Sequence, residues 1–106
     1  MLHVTKGDIV NIVAEGTGLT KVETGAVVDG VIATISYALK KGETIDIRGF
    51  GRFRLVQRKQ RQGRNPKSGE TVLIPARKMP VFRCSKNLAE QVNAPFEPDE
   101  QFERNK

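Results

Sequence analysis

Residues 57–69, Gln-Arg-Lys-Gln-Arg-Gln-Gly-Arg-Asn-Pro-Lys-Ser-Gly, carry no apolar side chain except the ring of Pro66. A stretch of this kind cannot line a core, yet it is flanked by strand-like sequence. Before it, Phe53 and Leu55 alternate with Arg52 and Arg54; after it come Thr71 to Ile74. The turn residues cluster in its middle, as Asn65-Pro66-Lys67-Ser68-Gly69. The segment therefore predicts a long hairpin, over about residues 57–78, with its tip in solvent.

The N-terminal third reads as helix. Thr5 with Asp8 places a capping hydroxyl and an acid at the start of a helix over residues 6–16, and Ile9, Val10, Ile12 and Val13 follow at helical spacing. Gly16-Thr17-Gly18 ends it. Thr20 with Glu23 forms the signature of a second capping box, and Gly42 stops the second helix. Val22, Ala26, Val27, Val31, Ile35, Ala38 and Leu39, widened by Val28, Ile32 and Tyr37, make that helix apolar on more than one face. Such a helix must pack on its own domain and on something else, which points to a dimer. Gly25 and Gly30 weaken it by about 1 kcal/mol each relative to Ala, and close helix approach is a reason to keep them.

From Glu43 the period changes to two. Ile45 and Ile47 begin the strands, and Gly49-Phe50-Gly51 supplies a tight turn with Phe50 placed to fill the core. Met79, Val81 and Phe82 return as a further strand, and Ser85 can cap a short last helix to about Val92. Residues 1–94 then make one domain, and residues 95–106, acidic and with two prolines, an exposed tail. With 38% hydrophobic residues and no Trp in 106 residues, a lone chain has a thin core, which again favours self-association.

Charge is unevenly placed. The chain is +6 overall, but residues 48–86 hold twelve Lys and Arg against a single acid, Glu70. Both ends are net acidic. Arg58, Lys59, Arg61, Arg64 and Lys67 lie on the hairpin where nothing in the chain neutralises them, so a polyanion is the expected partner and a phosphate backbone its chemistry. Pro66 is rigid and apolar and lacks an N–H. These properties are compatible with a wedge entering a base step, but by local chemistry alone a plain turn proline is the favoured reading.

Other function classes find little support. His3 is the only histidine, and Cys84, the only cysteine, rules out an internal disulfide and has no histidine near it in sequence. Cys84 reads as a buried or half-buried small residue in a reducing cytoplasm. No metal set, cofactor or catalytic constellation is expected, so the chain does not read as an enzyme. The start lacks a secretory signal, and uninterrupted apolar runs are too short to span a bilayer, so no membrane partner is expected. Single-stranded RNA readers present stacking aromatics, and the hairpin has none.

Gly49-Phe50-Gly51-Arg52-Phe53, Gly63-Arg64-Asn65-Pro66-Lys67-Ser68-Gly69-Glu70, Ile74-Pro75-Ala76 and Pro80-Val81-Phe82, followed by Lys86 and Leu88, resemble the bacterial histone-like HU and integration host factor family. The likeness runs from about Val4 to Val92. It implies an α+β fold: an intertwined dimer with two N-terminal helices, a three-stranded antiparallel sheet, a long protruding β-ribbon arm and a short C-terminal helix. HU and integration host factor are themselves standing examples of minor-groove DNA bending, and the function implied is architectural binding of double-stranded DNA in the nucleoid.

Carried over by position, the resemblance makes Pro66 the intercalating wedge, with Arg64 and Asn65 beside it in the minor groove. Arg58, Lys59, Arg61, Lys67 and Arg77 become arm contacts to DNA, and Lys6, Arg83 and Lys86 body contacts to phosphate. Phe50, Phe53 and Phe82 become core and dimer-interface residues. The chain departs from the family in having Cys84-Ser85 where Pro-Gly is usual, and in its longer acidic tail. Ile47 to Gly51 and Ala76-Arg77-Lys78 look more like integration host factor, Met79 to Phe82 more like HU. A homodimer, a heterodimer and a secondary affinity for structured RNA all stay open at this point.

Overall fold

Residues 3–103 are described by a computed structural model, in which both expected capping boxes form. At the start of α1 (Lys6–Thr17) the Thr5 N–H donates to Asp8 Oδ2 at 3.0 Å and the Asp8 N–H to Thr5 Oγ1 at 3.2 Å. Gly18 closes the helix in the left-handed region, φ 80°, with its N–H returning to the Ala14 carbonyl. At α2 (Lys21–Lys40) the Thr20 N–H and hydroxyl pair with Glu23 in the same way. Hydrogen bonds from the Thr20 backbone and then its side chain hold the Glu23 carboxyl below its ordinary value, so this cap is complete at neutral pH and weakens as pH falls through the lowered value.

The chain divides into two units, residues 1–36 with 92–106, and residues 37–91. In the first, Lys6 Nζ reaches Asp29 Oδ1 at 2.8 Å and ties α1 to α2. Ala14 and Thr24 are the buried side chains of the described chain. The tail is exposed through residue 103, but it forms a 3₁₀ turn, Glu100–Phe102, that packs on α1. Its last three residues lie outside the described part.

Most of the apolar surface of α2 finds no cover in its own chain. Val22 is 84% exposed, and Val27, Val31 and Ile32 are about half exposed. A Cβ added at Gly25 or Gly30 meets nothing within 4 Å, so the close approach expected there is not made within one chain. With a mean hydropathy of 1.3 over its best stretch, α2 is long and apolar enough by composition to cross a membrane, although its uninterrupted apolar runs are short. Asp29, paired with Lys6, interrupts it, and an acid at a bilayer centre costs about 2.5–3.5 kcal/mol.

In the second unit β1 (Ile45–Ile47), β2 (Gly51–Arg58) and β5 (Arg77–Cys84) form an antiparallel sheet in the order β1-β2-β5. Alternation splits it into two chemically different faces. Ile45, Phe53, Leu55, Pro80 and Phe82 share one; Asp46, Arg52, Arg54, Val56, Arg58, Arg77, Met79, Val81 and Arg83 share the other. Phe82 lies between Phe50 and Phe53, with ring centroids 5.0 and 4.9 Å apart. Phe50 fills the core less than expected, since Phe50 and Phe82 both stay about two-fifths exposed.

Gly49, φ 83°, makes the β1–β2 turn, and Gly51 is buried under Phe82. A Cβ at Gly51 would stand 2.5 Å from the Phe82 ring and 2.6 Å from the Arg83 carbonyl oxygen. Gly51→Ala is therefore expected to destabilise the fold by about 1–3 kcal/mol. Urea denaturation checks this, and an unchanged midpoint would count against the packing described.

The hairpin is jointed. β3 (Arg61–Arg64) and β4 (Thr71–Ile74) make a separate two-stranded ribbon. Pairing lapses at residues 59–60 and 75–76, where Pro75 has no N–H to offer a ladder. At the far end of β5 the Ser85 N–H donates to the Phe50 carbonyl at 2.8 Å, and Ser85 Oγ accepts from the Leu88 N–H at 3.0 Å to cap α3 (Lys86–Asn93). The Cys84-Ser85 departure thus still starts the helix soundly. Cys84 itself is exposed, not buried as expected, because its cross-strand neighbour is Gly51, which has no side chain to cover it.

Candidate nucleic-acid interface

The cations expected at the arm gather in three places. At its root, Arg58 and Arg77 are register partners, and with Lys59, Arg61, Ile74, Pro75 and Met79 they line an open concavity of about 460 Å³ at the joint. Along the ribbon, Arg61 pairs with Ile74 and Arg64 with Thr71. Arg64 is three positions on from Arg61, an odd spacing, so alternation puts them on opposite faces. Gly63 shares the Arg61 face, where Ile74 lies over it with Cδ1 2.6 Å from the site of a Cβ. A ribbon with cations on both faces can meet both phosphate walls of a groove at once.

The third place is the tip. The Asn65 N–H donates to the Glu70 carbonyl at 2.8 Å, and the Gly69 N–H to the Asn65 carbonyl at 2.7 Å. Gly69 takes the left-handed conformation the turn needs, φ 74°. Asn65 Oδ1 accepts from the Lys67 N–H at 2.9 Å, an Asx turn that engages the amide oxygen of Asn65 and uses none of its side-chain N–H donors. Pro66 and Lys67 sit exposed on top of this brace. None of the arm cations has an ion pair among the described residues, and the acids that do pair lie elsewhere, as Lys6–Asp29, Lys41–Glu43 and Arg52–Asp46.

The body residues behave less alike. Arg83 is exposed on the polar face of the sheet, opposite Arg52, and Lys86 is exposed at the first turn of α3. Lys6 already has Asp29, so a phosphate there must compete with a carboxylate. Arg52 and Arg54 were not singled out from sequence, yet they share the face of Arg58, Arg77 and Arg83. Their alternation with Phe53 and Leu55 was visible; only the β2–β5 register shows what else lies on that side. Among the described residues no three His, Cys, Asp or Glu come together as a metal set.

A projecting basic ribbon with a proline tip, carried on a sheet with one apolar and one cationic face, defines a class of nucleic-acid-binding proteins. The chain belongs to the bacterial DNA-binding protein family, whose model matches residues 4–93. It is 45% identical over 87 residues to the DNA-binding protein HU of Staphylococcus aureus, covering 82% of this chain and 97% of that protein. To HU of Streptococcus thermophilus it is 46% identical over 87 residues, covering 82% of this chain and 96% of the relative. Among solved structures it is similar to Anabaena HU in a cocrystal with DNA, with a TM-score of 0.81 and 40% identity over 86% of this chain and 99% of that one. HU of Thermotoga maritima gives a TM-score of 0.61 at 28% identity over 84% of this chain and 98% of that one.

Proposed function

We propose that this protein is an architectural double-stranded DNA-binding protein that wraps and bends duplex DNA with its arms in the minor groove, largely without regard to sequence. The single observation that carries this reading is the ribbon itself: unpaired cations on both faces and a braced Pro66 tip, on a fold shared with an HU solved with DNA. Its role is architectural, not enzymatic, and its place is the nucleoid of a bacterial cytoplasm. Pro66 is the wedge. Arg64 and the N–H donors of Asn65 suit the minor-groove floor, which offers acceptors at every A·T pair. Arg58, Lys59, Arg61, Lys67 and Arg77 follow the backbone along the arm, and Arg83 and Lys86 hold it on the body.

The working unit is a homodimer built on residues 1–94. Uncovered apolar residues on α2, room at Gly25 and Gly30, and the half-exposed Phe50–Phe82 pair are what a second copy would bury. Sequence preference of the integration host factor kind, a heterodimeric partner and structured RNA are secondary readings; the relatives described above are all HU proteins.

One set of gel shifts tests the proposal. The purified chain alone should bind random duplex, bind nicked or pre-bent duplex more tightly because the bending cost is already met, and run as a dimer in light scattering. Failure to shift any duplex, or clear preference for structured RNA, would overturn the DNA reading. A monomeric mass at micromolar concentration would remove the dimer.

A further inference from the structure

The sheet carries a second basic concavity, separate from the one at the arm joint. Asp46 of β1, Arg52 of β2 and Arg83 of β5 are register partners, so one acid and two bases form a row across all three strands. Arg54 follows Arg52 by two residues on the same face. Together with Ile47, Gly49, Gly51, Cys84 and Ser85 they line an open hollow of about 550 Å³. Arg52 Nη2 meets Asp46 Oδ2 at 3.0 Å, both side chains more than half exposed. Arg54 and Arg83 have no ion pair among the described residues, which leaves the hollow with two uncompensated positive charges. That surplus has no structural purpose in the chain, since the core lies on the other face.

The hollow is also in line with the arm. Arg52, Arg54 and Arg58 project from one side of β2, and Arg77 and Arg83 from the matching side of β5. Arg52 and Arg58 are six residues apart, about 20 Å along a strand, with Val56, Met79 and Val81 between the two charged ends. A duplex that follows the arm root along this face meets the hollow next.

We propose that Arg52, Arg54 and Arg83 seat a backbone phosphate of duplex DNA on the sheet, and that Asp46 holds Arg52 in the unbound protein and gives it up to the phosphate. The proposal rests on the DNA-binding reading above. Arg54 and Arg83 supply the standing charge. Arg52 is held to one side by a carboxylate that an incoming phosphate displaces, and an exposed ion pair of this type is weak enough to exchange. The guanidinium forks match phosphate oxygens two at a time.

The test is the salt dependence of binding of the full chain to random-sequence duplex, measured for Arg54→Gln, Arg83→Gln, their double variant, Asp46→Asn, and Lys78→Gln. Lys78 pairs with Gln57 on the opposite face, so Lys78→Gln removes the same charge without touching the hollow. Because the two arginines share one phosphate, the double variant should lose about 0.9 from the slope of log affinity against log salt and bind about fivefold more weakly at about 0.15 M salt. Each single variant should lose more than half of that effect. Asp46→Asn should bind about two- to fivefold more tightly, and Lys78→Gln should match the parent. All four positions are exposed, so circular dichroism should be unchanged. An unaltered slope in the double variant, or an equal loss in Lys78→Gln, overturns the phosphate seat. Weaker or unchanged binding by Asp46→Asn overturns its exchange role. In either case Arg61→Gln on the arm should still weaken binding; if the parent chain binds no duplex, the functional reading itself has failed.

Discussion

Affinity for random-sequence duplex DNA is expected to fall by about three orders of magnitude between about 50 and 200 mM salt. The reason is the number and placement of the arm charges. Arg58, Lys59, Arg61, Arg64, Lys67 and Arg77 are exposed and have no acid partner among the described residues, so each is free to neutralise a phosphate. Six phosphates neutralised correspond to a slope of about −5, and a fourfold rise in salt then costs about a thousandfold in affinity. Filter binding or fluorescence anisotropy over a salt series measures this directly. A slope shallower than about −2 would mean that most of these side chains stay in solvent in the complex, leaving the arm as a solvated loop. Sequence should matter little to the slope, because phosphate contacts carry no base information.

The second large effect is at the tip. Pro66→Ala should reduce the DNA bend by about half or more while weakening binding only a few-fold, as read by energy transfer between dyes at the duplex ends. The ring is an exposed apolar wedge on a turn braced by the Asn65–Glu70, Gly69–Asn65 and Lys67–Asn65 hydrogen bonds. Alanine leaves those bonds and every cation in place, so the charge-driven part of binding persists. What it removes is the rigid volume that separates two stacked base pairs. A bend unchanged in the alanine variant would reduce Pro66 to a turn residue. An equal loss of bend and affinity would instead show that the tip anchors the arm.

The two predictions divide along the same line as the evidence for them. The salt response follows from the excess of Lys and Arg over acids in the arm, a property of composition that holds in any conformation. The wedge depends on a turn whose hydrogen bonds present Pro66 outward, and it also rests on likeness to the HU family.

Much of the architecture was legible in the residues because it is set by local chemistry. Thr5 with Asp8 and Thr20 with Glu23 are capping pairs wherever a helix follows them, and Ser85 caps α3 through its own hydroxyl. The alternation around Phe53, and the absence of core residues from 57 to 69, likewise state strand and arm without tertiary information. Other features depend on partners far along the chain. The exposure of Cys84 follows from Gly51 opposite it, the joint in the arm from where Pro75 falls in the ladder, and the engagement of Lys6 from Asp29, 23 residues away. Arg52 and Arg54 looked like the solvated side of a strand until the register set them beside Arg83 and in line with Arg58 and Arg77. The sequence by itself thus determined the helices, the arm and its charge, because caps, periodicity and polarity act within a few residues. Only the tertiary structure decided which charges share a face, because strand register is set by packing of the whole sheet and a shift of one residue would exchange the two sides.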